Sequence, residues 1–300
     1  MSSGFTEQDI RQLLASLDRI ASALDDDGNH DQSAVEIDDS VLAYRWRKPQ
    51  HLFAKPHLVA IKSPQLISFD SLKNVDKQQQ KLVQNTLQFV NDLPANNVLM
   101  SGARGTGKSS LVRACLEQFH PQGLRLIEVE KTHLDDLPDI VDLIRDRKER
   151  FIIFCDDLSF EDGDHSYKGL KTVLDGSTAG PSDNVLIYAT SNRRNIVSER
   201  MSDNLDRHRD ENGDVHPSDG IEEKTALSER FGIALHFYNF SQDEYLTAVF
   251  QWLSHFNIDI SNTEQVTREA LLWSGSRGAR SGRIAKQFAV DYAGRLGTQT

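Results

Sequence analysis

Two cysteines in 300 residues cannot build a disulfide framework. Met1–Ile10 has no basic stretch followed by an apolar one, so no secretion leader is expected. Cys115 and Cys155 then read as small reduced thiols, one in a core helix and one in a core strand, with no catalytic part. No apolar run approaches the ~18 residues of a membrane span. The strongest, Phe151–Cys155, has the length of a strand. Eight prolines and 18 glycines exclude a collagen-like or low-complexity chain. Positive charge is in short supply: 34 Lys and Arg stand against 45 Asp and Glu, a formal net charge of −11. That balance argues against finding nucleic acid by bulk charge, and no membrane partner is expected. These absences leave a cytoplasmic globular protein, long enough for two structural units.

The cations are missing most conspicuously between Ile20 and Tyr44, which holds seven acidic residues and no Lys or Arg. Such a stretch repels itself and reads as a solvated linker. Ahead of it Ile10, Leu13, Leu14, Leu17 and Ile20 recur at helical spacing, which predicts one amphipathic helix, folded back on the body or in contact with a partner. From about Leu58 the pattern changes. Strand-length apolar runs at Asn97–Met100, Leu124–Val129, Phe151–Cys155, Val185–Ala189 and Ile233–Tyr238 alternate with helical patterns from Asp76, Ser109, Leu134 and Tyr167. Alternation of this kind predicts an α/β core, a parallel sheet flanked by helices. After Tyr238 the strands stop. Ser241 and Glu244 have the spacing of a capping box, and helical patterns near Tyr245–Phe256, Thr263–Trp273 and Ser281–Arg295 follow.

Gly102-Ala103-Arg104-Gly105-Thr106-Gly107-Lys108-Ser109 matches G-x-x-x-x-G-K-[ST], between an apolar strand and a helix. The glycines let successive backbone N–H groups turn inward towards phosphate oxygens, and the helix N-terminus adds unsatisfied donors. Lys108 would reach the β- and γ-phosphates, and the Ser109 hydroxyl would ligate Mg2+, with Ser110 beside it. No G-x-G-x-x-G is present here, which disfavours a dinucleotide fold. Phe151–Cys155 ends in Asp156-Asp157. Ligands of open α/β sheets bind at the carboxyl ends of the strands. Asp156 is thus placed to hold the Mg2+ shell, and Asp157 to orient or deprotonate the attacking water.

Gly102–Ser110, Asp156-Asp157, Val185–Asn192 and Ser228-Glu229-Arg230-Phe231-Gly232 stand in the order found in AAA+ ATPases. The runs Arg104–Ser110, Phe154–Phe160, Tyr167–Gly176 and Ala189–Arg194 resemble one group in particular, an uncharacterised bacterial family of predicted AAA+ ATPases. The resemblance covers roughly Phe69 to Tyr292. It implies a P-loop NTPase of AAA+ type: a parallel five-stranded sheet flanked by helices, with a small C-terminal all-helical lid. On this division residues 1–60 are an N-terminal helix and acidic linker, 61–239 the nucleotide-binding core and 240–300 the lid. The resemblance implies sensor 1 at Asn192, an arginine finger at Arg230 that reaches the neighbouring subunit's nucleotide, and sensor 2 at Arg283, with Arg280 as runner-up. It implies ATP and Mg2+ as cofactors and a homo-oligomer such as a hexamer.

Departures from the family pattern also matter. Asp157 stands where Glu is usual, so turnover is expected to be slow. Asn74 stands where Gly is frequent, and Asn tolerates left-handed backbone. Arg193 and Arg194 are open between nucleotide, neighbour and solvent. The polar segment Ser198–Leu227, with His208 and His216, has no compact metal-ligand spacing and reads as a solvated loop. The loop near Glu130–Asp135 lacks the aromatic that threading unfoldases of the superfamily place there. Arg277, Arg280, Arg283 and Lys286 could form a basic stripe, but nucleic acid is the less favoured partner. The reading is an ATP-hydrolysing protein that remodels or loads an unidentified macromolecule, with a protein partner favoured. The alternatives are a nucleotide-gated binding module that hydrolyses little, a DNA-associated motor, and, more weakly, a small-molecule kinase.

Overall fold

The computed structural model describes residues 37–38, 40–49, 55–159, 167–176, 182–192, 208–209, 215–216, 227–258 and 262–297. The elements run β1 (Ala43–Arg47), β2 (His57–Ala60), α1 (Asp76–Val90), β3 (Val98–Gly102), α2 (Lys108–Phe119), β4 (Leu124–Val129), α3 (Leu137–Ile144), β5 (Arg150–Cys155), α4 (Tyr167–Asp175), β6 (Val185–Ser191), β7 (His208–Arg209), β8 (Val215–His216), β9 (Ile233–Phe237), α5 (Gln242–His255), α6 (Thr263–Ser276) and α7 (Gly282–Gly297).

Seven strands form one sheet in the order β2-β1-β4-β5-β6-β3-β9, parallel except for the antiparallel β1–β2 pair. Strand side chains alternate between faces, so β5 feeds two cores. Phe151, Ile153 and Cys155 pack with α3 and α4, while Ile152 and Phe154 pack with α1 and α2. Both faces are covered, which is why these strands read as continuous apolar runs. A third cluster, with Tyr245, Val249, Leu253, Val266, Ala270 and Phe288, belongs to α5, α6 and α7. The capping box at the start of α5 is formed: Glu244 N–H donates to Ser241 Oγ and Ser241 N–H to the Glu244 carboxylate, at 3.2 and 2.7 Å.

Two expectations are corrected. The sheet has seven strands rather than five. The additional pair, β1 and β2, lies before residue 61, in the region assigned to helix and acidic linker. The acidic stretch therefore gives way to a core strand at its end, where Ala43 and Tyr44 are almost wholly buried. β1 pairs in parallel with β4 and is fastened by polar contacts that composition does not advertise. Arg45 meets Glu128 at 2.7 Å, Trp46 Nε1 donates to Asp136 at 3.0 Å, and Lys48 meets the same carboxylate at 3.1 Å. Within Ser198–Leu227, read as loop, His208–Arg209 and Val215–His216 form a two-stranded antiparallel ribbon. The predicted helix Ile10–Ile20, Phe160, Arg193 and Arg194 lie outside the described residues. No helix among the described residues is long and apolar enough to cross a membrane.

Candidate functional site

The loop after β3 turns because its glycines adopt backbone that other residues resist. Gly102, Gly105 and Gly107 have φ of +124°, +73° and +107°. A Cβ on Gly102 would stand 1.9 Å from the Phe237 carbonyl oxygen of β9, so no side chain fits there. Phe237 O also accepts the Ala103 N–H at 3.0 Å, which ties the loop to the end of β9. Thr106 Oγ1 closes the turn on Ala103 O at 2.8 Å. Arg104 lies in the same turn, and Ser110 follows in the first turn of α2.

Lys108, the first residue of α2, is buried, with 5% of its surface exposed. Its ammonium donates to Gly102 O at 2.9 Å, Ala103 O at 2.7 Å and Asn192 Oδ1 at 3.1 Å. Burial pulls its pKa below the ordinary lysine value, and Arg283 and Arg104 add to the effect; Asp156 and Asp157 oppose it. Ser109 Oγ donates to Asp156 Oδ1 at 2.8 Å. Asn192, one residue past β6, donates through Nδ2 to Asp157 Oδ1. Asp157 has φ +54°, outside the region a side chain prefers, and such strain persists only where the surroundings over-determine it. Its N–H donates to Thr190 Oγ1 at 2.9 Å, and Leu158 N–H donates to Thr190 O at 2.7 Å.

The carboxyl ends of β3, β5 and β6 thus bring together Lys108, Ser109, Asp156, Asp157 and Asn192. The Ser109 hydroxyl and Asp156 carboxylate offer oxygen donors only, which suits a hard cation such as Mg2+. Among the described residues no cluster of three or more His, Cys, Asp or Glu suits a metal ion. Arg283 reaches the loop by its backbone: its N–H donates to Gly105 O at 3.1 Å, while its side chain is exposed. Arg280 O accepts the Phe240 N–H at 3.0 Å. Arg230 stands apart. β9 runs parallel to β3 with Ile233 opposite Val98 and Phe237 opposite Gly102. Arg230 precedes Ile233, so it sits at the far end of the sheet from the glycine-rich loop of its own chain and pairs with Asp175. Of the lid cations, Arg277 stacks on Trp273 at 3.7 Å and Lys286 on Trp252 at 4.7 Å.

The sequence reasoning missed Thr190. Its hydroxyl donates to Asp156 Oδ1 and accepts the Asp157 N–H, linking both carboxylate residues to β6. A polar residue at the end of an apolar strand was the available signal. The partners follow only from the register that sets Cys155 beside Ala189. It also missed the contact of the loop with the lid. A Cβ on Gly105 would meet Arg283 Cβ at 2.8 Å and Ser281 Oγ at 2.9 Å. Asn74 has φ +62°, and its Nδ2 donates to Glu244 O of the lid at 3.0 Å, a second bridge between the two units.

Residues 39–296 match the family described as "Protein of unknown function (DUF815)". The chain belongs to that family. No curated protein matches the sequence. Among solved structures, a point mutant of RuvB from Thermotoga maritima is similar with a TM-score of 0.50 and 16% identity, over 74% of this chain and 63% of that one. The match thus spans less than two thirds of the RuvB chain. The FIGL-1 AAA domain in complex with ADP is similar with a TM-score of 0.50 and 17% identity, over 77% of this chain and 74% of that one. This DUF815 protein shares the fold of RuvB and of the FIGL-1 AAA domain.

Proposed function

We propose that the chain binds ATP with Mg2+ and hydrolyses it, coupling turnover to the remodelling or loading of an unidentified macromolecule. The observation that carries this reading is the continuous contact Lys108–Asn192–Asp157 beside the Ser109–Asp156 pair. One cation, one amide, one hydroxyl and two carboxylates converge at a glycine-rich loop, the set that phosphoryl transfer to water requires.

In this reading the backbone N–H groups of Gly102–Ser109 cradle the phosphates, and Lys108 exchanges its carbonyl partners for phosphate oxygens. Ser109 and Asp156 hold Mg2+, which when bound neutralises charge developing on the phosphate oxygens. Asp157 orients the attacking water and accepts its proton, and Asn192 aligns that water or the γ-phosphate. Arg283 links the nucleotide to the lid. Arg230 acts on the nucleotide of a neighbouring copy in a homo-oligomer, a role its distance from its own loop supports. The net charge of −11 leaves a protein partner favoured over nucleic acid. A hexamer and a cytoplasmic setting belong to the same proposal, as does a division into an α/β core and a helical lid.

A second reading, a nucleotide-gated module with little hydrolysis, draws on Asp157, a short carboxylate already engaged by Asn192. Steady-state phosphate release by the full chain separates the two. Mg2+-dependent turnover that Asp157→Asn abolishes, with binding of a fluorescent ATP analogue retained, supports the motor. Equal slow turnover in wild type and Asp157→Asn supports the module. The trapped Asp157→Asn protein is then the bait with which to seek the macromolecule.

A further inference from the structure

We propose that Asp175 is the positioning residue for Arg230: it fixes the guanidinium by its Nε edge and leaves both terminal nitrogens free for a neighbour's phosphoryl group. This rests on the reading of Arg230 as the finger that acts between subunits.

Arg230 Nε donates to Asp175 Oδ1, with the two side chains 25% and 43% exposed. A guanidinium recognises phosphate through a planar fork of N–H groups. A carboxylate on the terminal nitrogens would occupy that fork. A carboxylate on Nε restrains the side chain and spares it. Arginine has many rotamers, and ordering them on binding is costly, so a partner that orders them beforehand favours the productive geometry.

The backbone on both sides is fixed as well. Leu227 and Phe231, flanking Arg230, are buried in the core that includes Leu170 of α4, and Phe231 N–H closes a turn on Ser228 O at 3.3 Å. A Cβ on Gly232 would stand 2.2 Å from Asn96 Oδ1, so this turn is seated tightly against the start of β3. Asp175 is the last residue of α4, and Gly176, with φ +79°, ends that helix. The C-terminal end of a helix carries partial negative charge and disfavours a carboxylate. Arg230 supplies the compensating cation, which explains an acid at a position the helix itself resists.

The experiment measures kcat and KM for ATP with the full chain carrying Arg230→Ala, Asp175→Ala, Asp175→Asn and the Arg230→Ala/Asp175→Ala pair. Loss of the finger is expected to lower kcat ~10³-fold. Loss of its positioning is expected to lower kcat about tenfold with KM unchanged, inside the ~10²-fold that a small misplacement can cost. Asp175→Asn keeps an acceptor oxygen for Nε–H and is expected to fall between wild type and Asp175→Ala. Asp175→Ala is expected to add nothing in the Arg230→Ala background. If Arg230→Ala lowers kcat but Asp175→Ala matches wild type, raises KM instead, or lowers kcat further in the double variant, the positioning role is overturned and the finger stands. If Arg230→Ala itself leaves kcat unchanged, the finger reading falls and takes this one with it. Should Asp175→Ala melt below the assay temperature, the graded kcat of Asp175→Asn decides in the same way.

Discussion

Thr190→Val is nearly isosteric and removes one hydroxyl. That hydroxyl is 2% exposed as part of Thr190, donates to the Asp156 carboxylate and accepts the Asp157 N–H. A hydrogen bond to a charged group contributes about 1.5–3 kcal/mol, and a stranded buried donor costs about 1–3 kcal/mol. Asp157 is exposed, so water can reach its N–H and the second contribution is discounted towards zero. The sum is a loss of about 2 kcal/mol in the nucleotide-free protein, which at about 2.1 cal/mol/K per residue over 300 residues corresponds to a melting temperature lower by about 3 °C. Asp156 would also lose the group that orients it, and removal of such a supporting contact typically weakens a metal site 10- to 100-fold. The assays are thermal unfolding in chelator and titration with a fluorescent ATP analogue, with and without Mg2+. Mg2+-dependent affinity should fall by at least tenfold, and metal-free affinity should hold. A melting temperature within 1 °C of wild type, together with an unchanged Mg2+ dependence, would refute the reasoning.

Gly105→Ala and Gly123→Ala separate backbone strain from packing. Gly123 has φ +89° with nothing within 4 Å of a new Cβ, so alanine there costs only the left-handed penalty, about 1–2 kcal/mol. At Gly105, with φ +73°, overpacking against Arg283 and Ser281 adds about 1–3 kcal/mol and pushes the lid off the loop. Denaturant melts that give equal losses for the two would show that the lid does not press on the loop. Alkaline pH provides a test of the core. Burial raises both thiols, Cys115 and Cys155, from 9.0 to about 12. The unfolded chain therefore loses two protons above pH 9 that the folded chain keeps. Their stabilisation is complete below pH 9 and declines between pH 9 and about 12, by about 3 kcal/mol per pH unit for the two thiols together. Above pH ~10 the buried hydroxyls of Tyr44, Tyr188 and Tyr245, also raised by burial, steepen the decline. Cys115→Ala should therefore remove one thiol's share of the slope between pH 9 and about 10 in pH-dependent melts, and an unchanged slope there would place the thiol in water.

Much of the core was legible because each strand is buried on both faces. Continuous apolar runs such as Phe151–Cys155 leave little else for the chain to do, and the helices between them carry their own periodicity. The glycine-rich turn was legible because its left-handed backbone calls for glycine at Gly105 and Gly107. β1 was not, because AYRWR alternates apolar with basic residues and follows an acidic stretch. Its burial depends on Glu128 and Asp136, more than 80 positions downstream.

The sequence by itself determined a left-handed glycine turn, a lysine at its end and a strand-end Asp-Asp, since these are local chemistry. Only the tertiary structure decided which of them meet. The register of β5 against β6 brings Thr190 to Asp156, and the parallel run of β9 beside β3 separates Arg230 from its own loop. The lid's approach brings Arg283 to Gly105 by its backbone. Side-chain partners across a sheet are fixed by strand order and register, and these emerge from the packing of the whole chain rather than from any one segment.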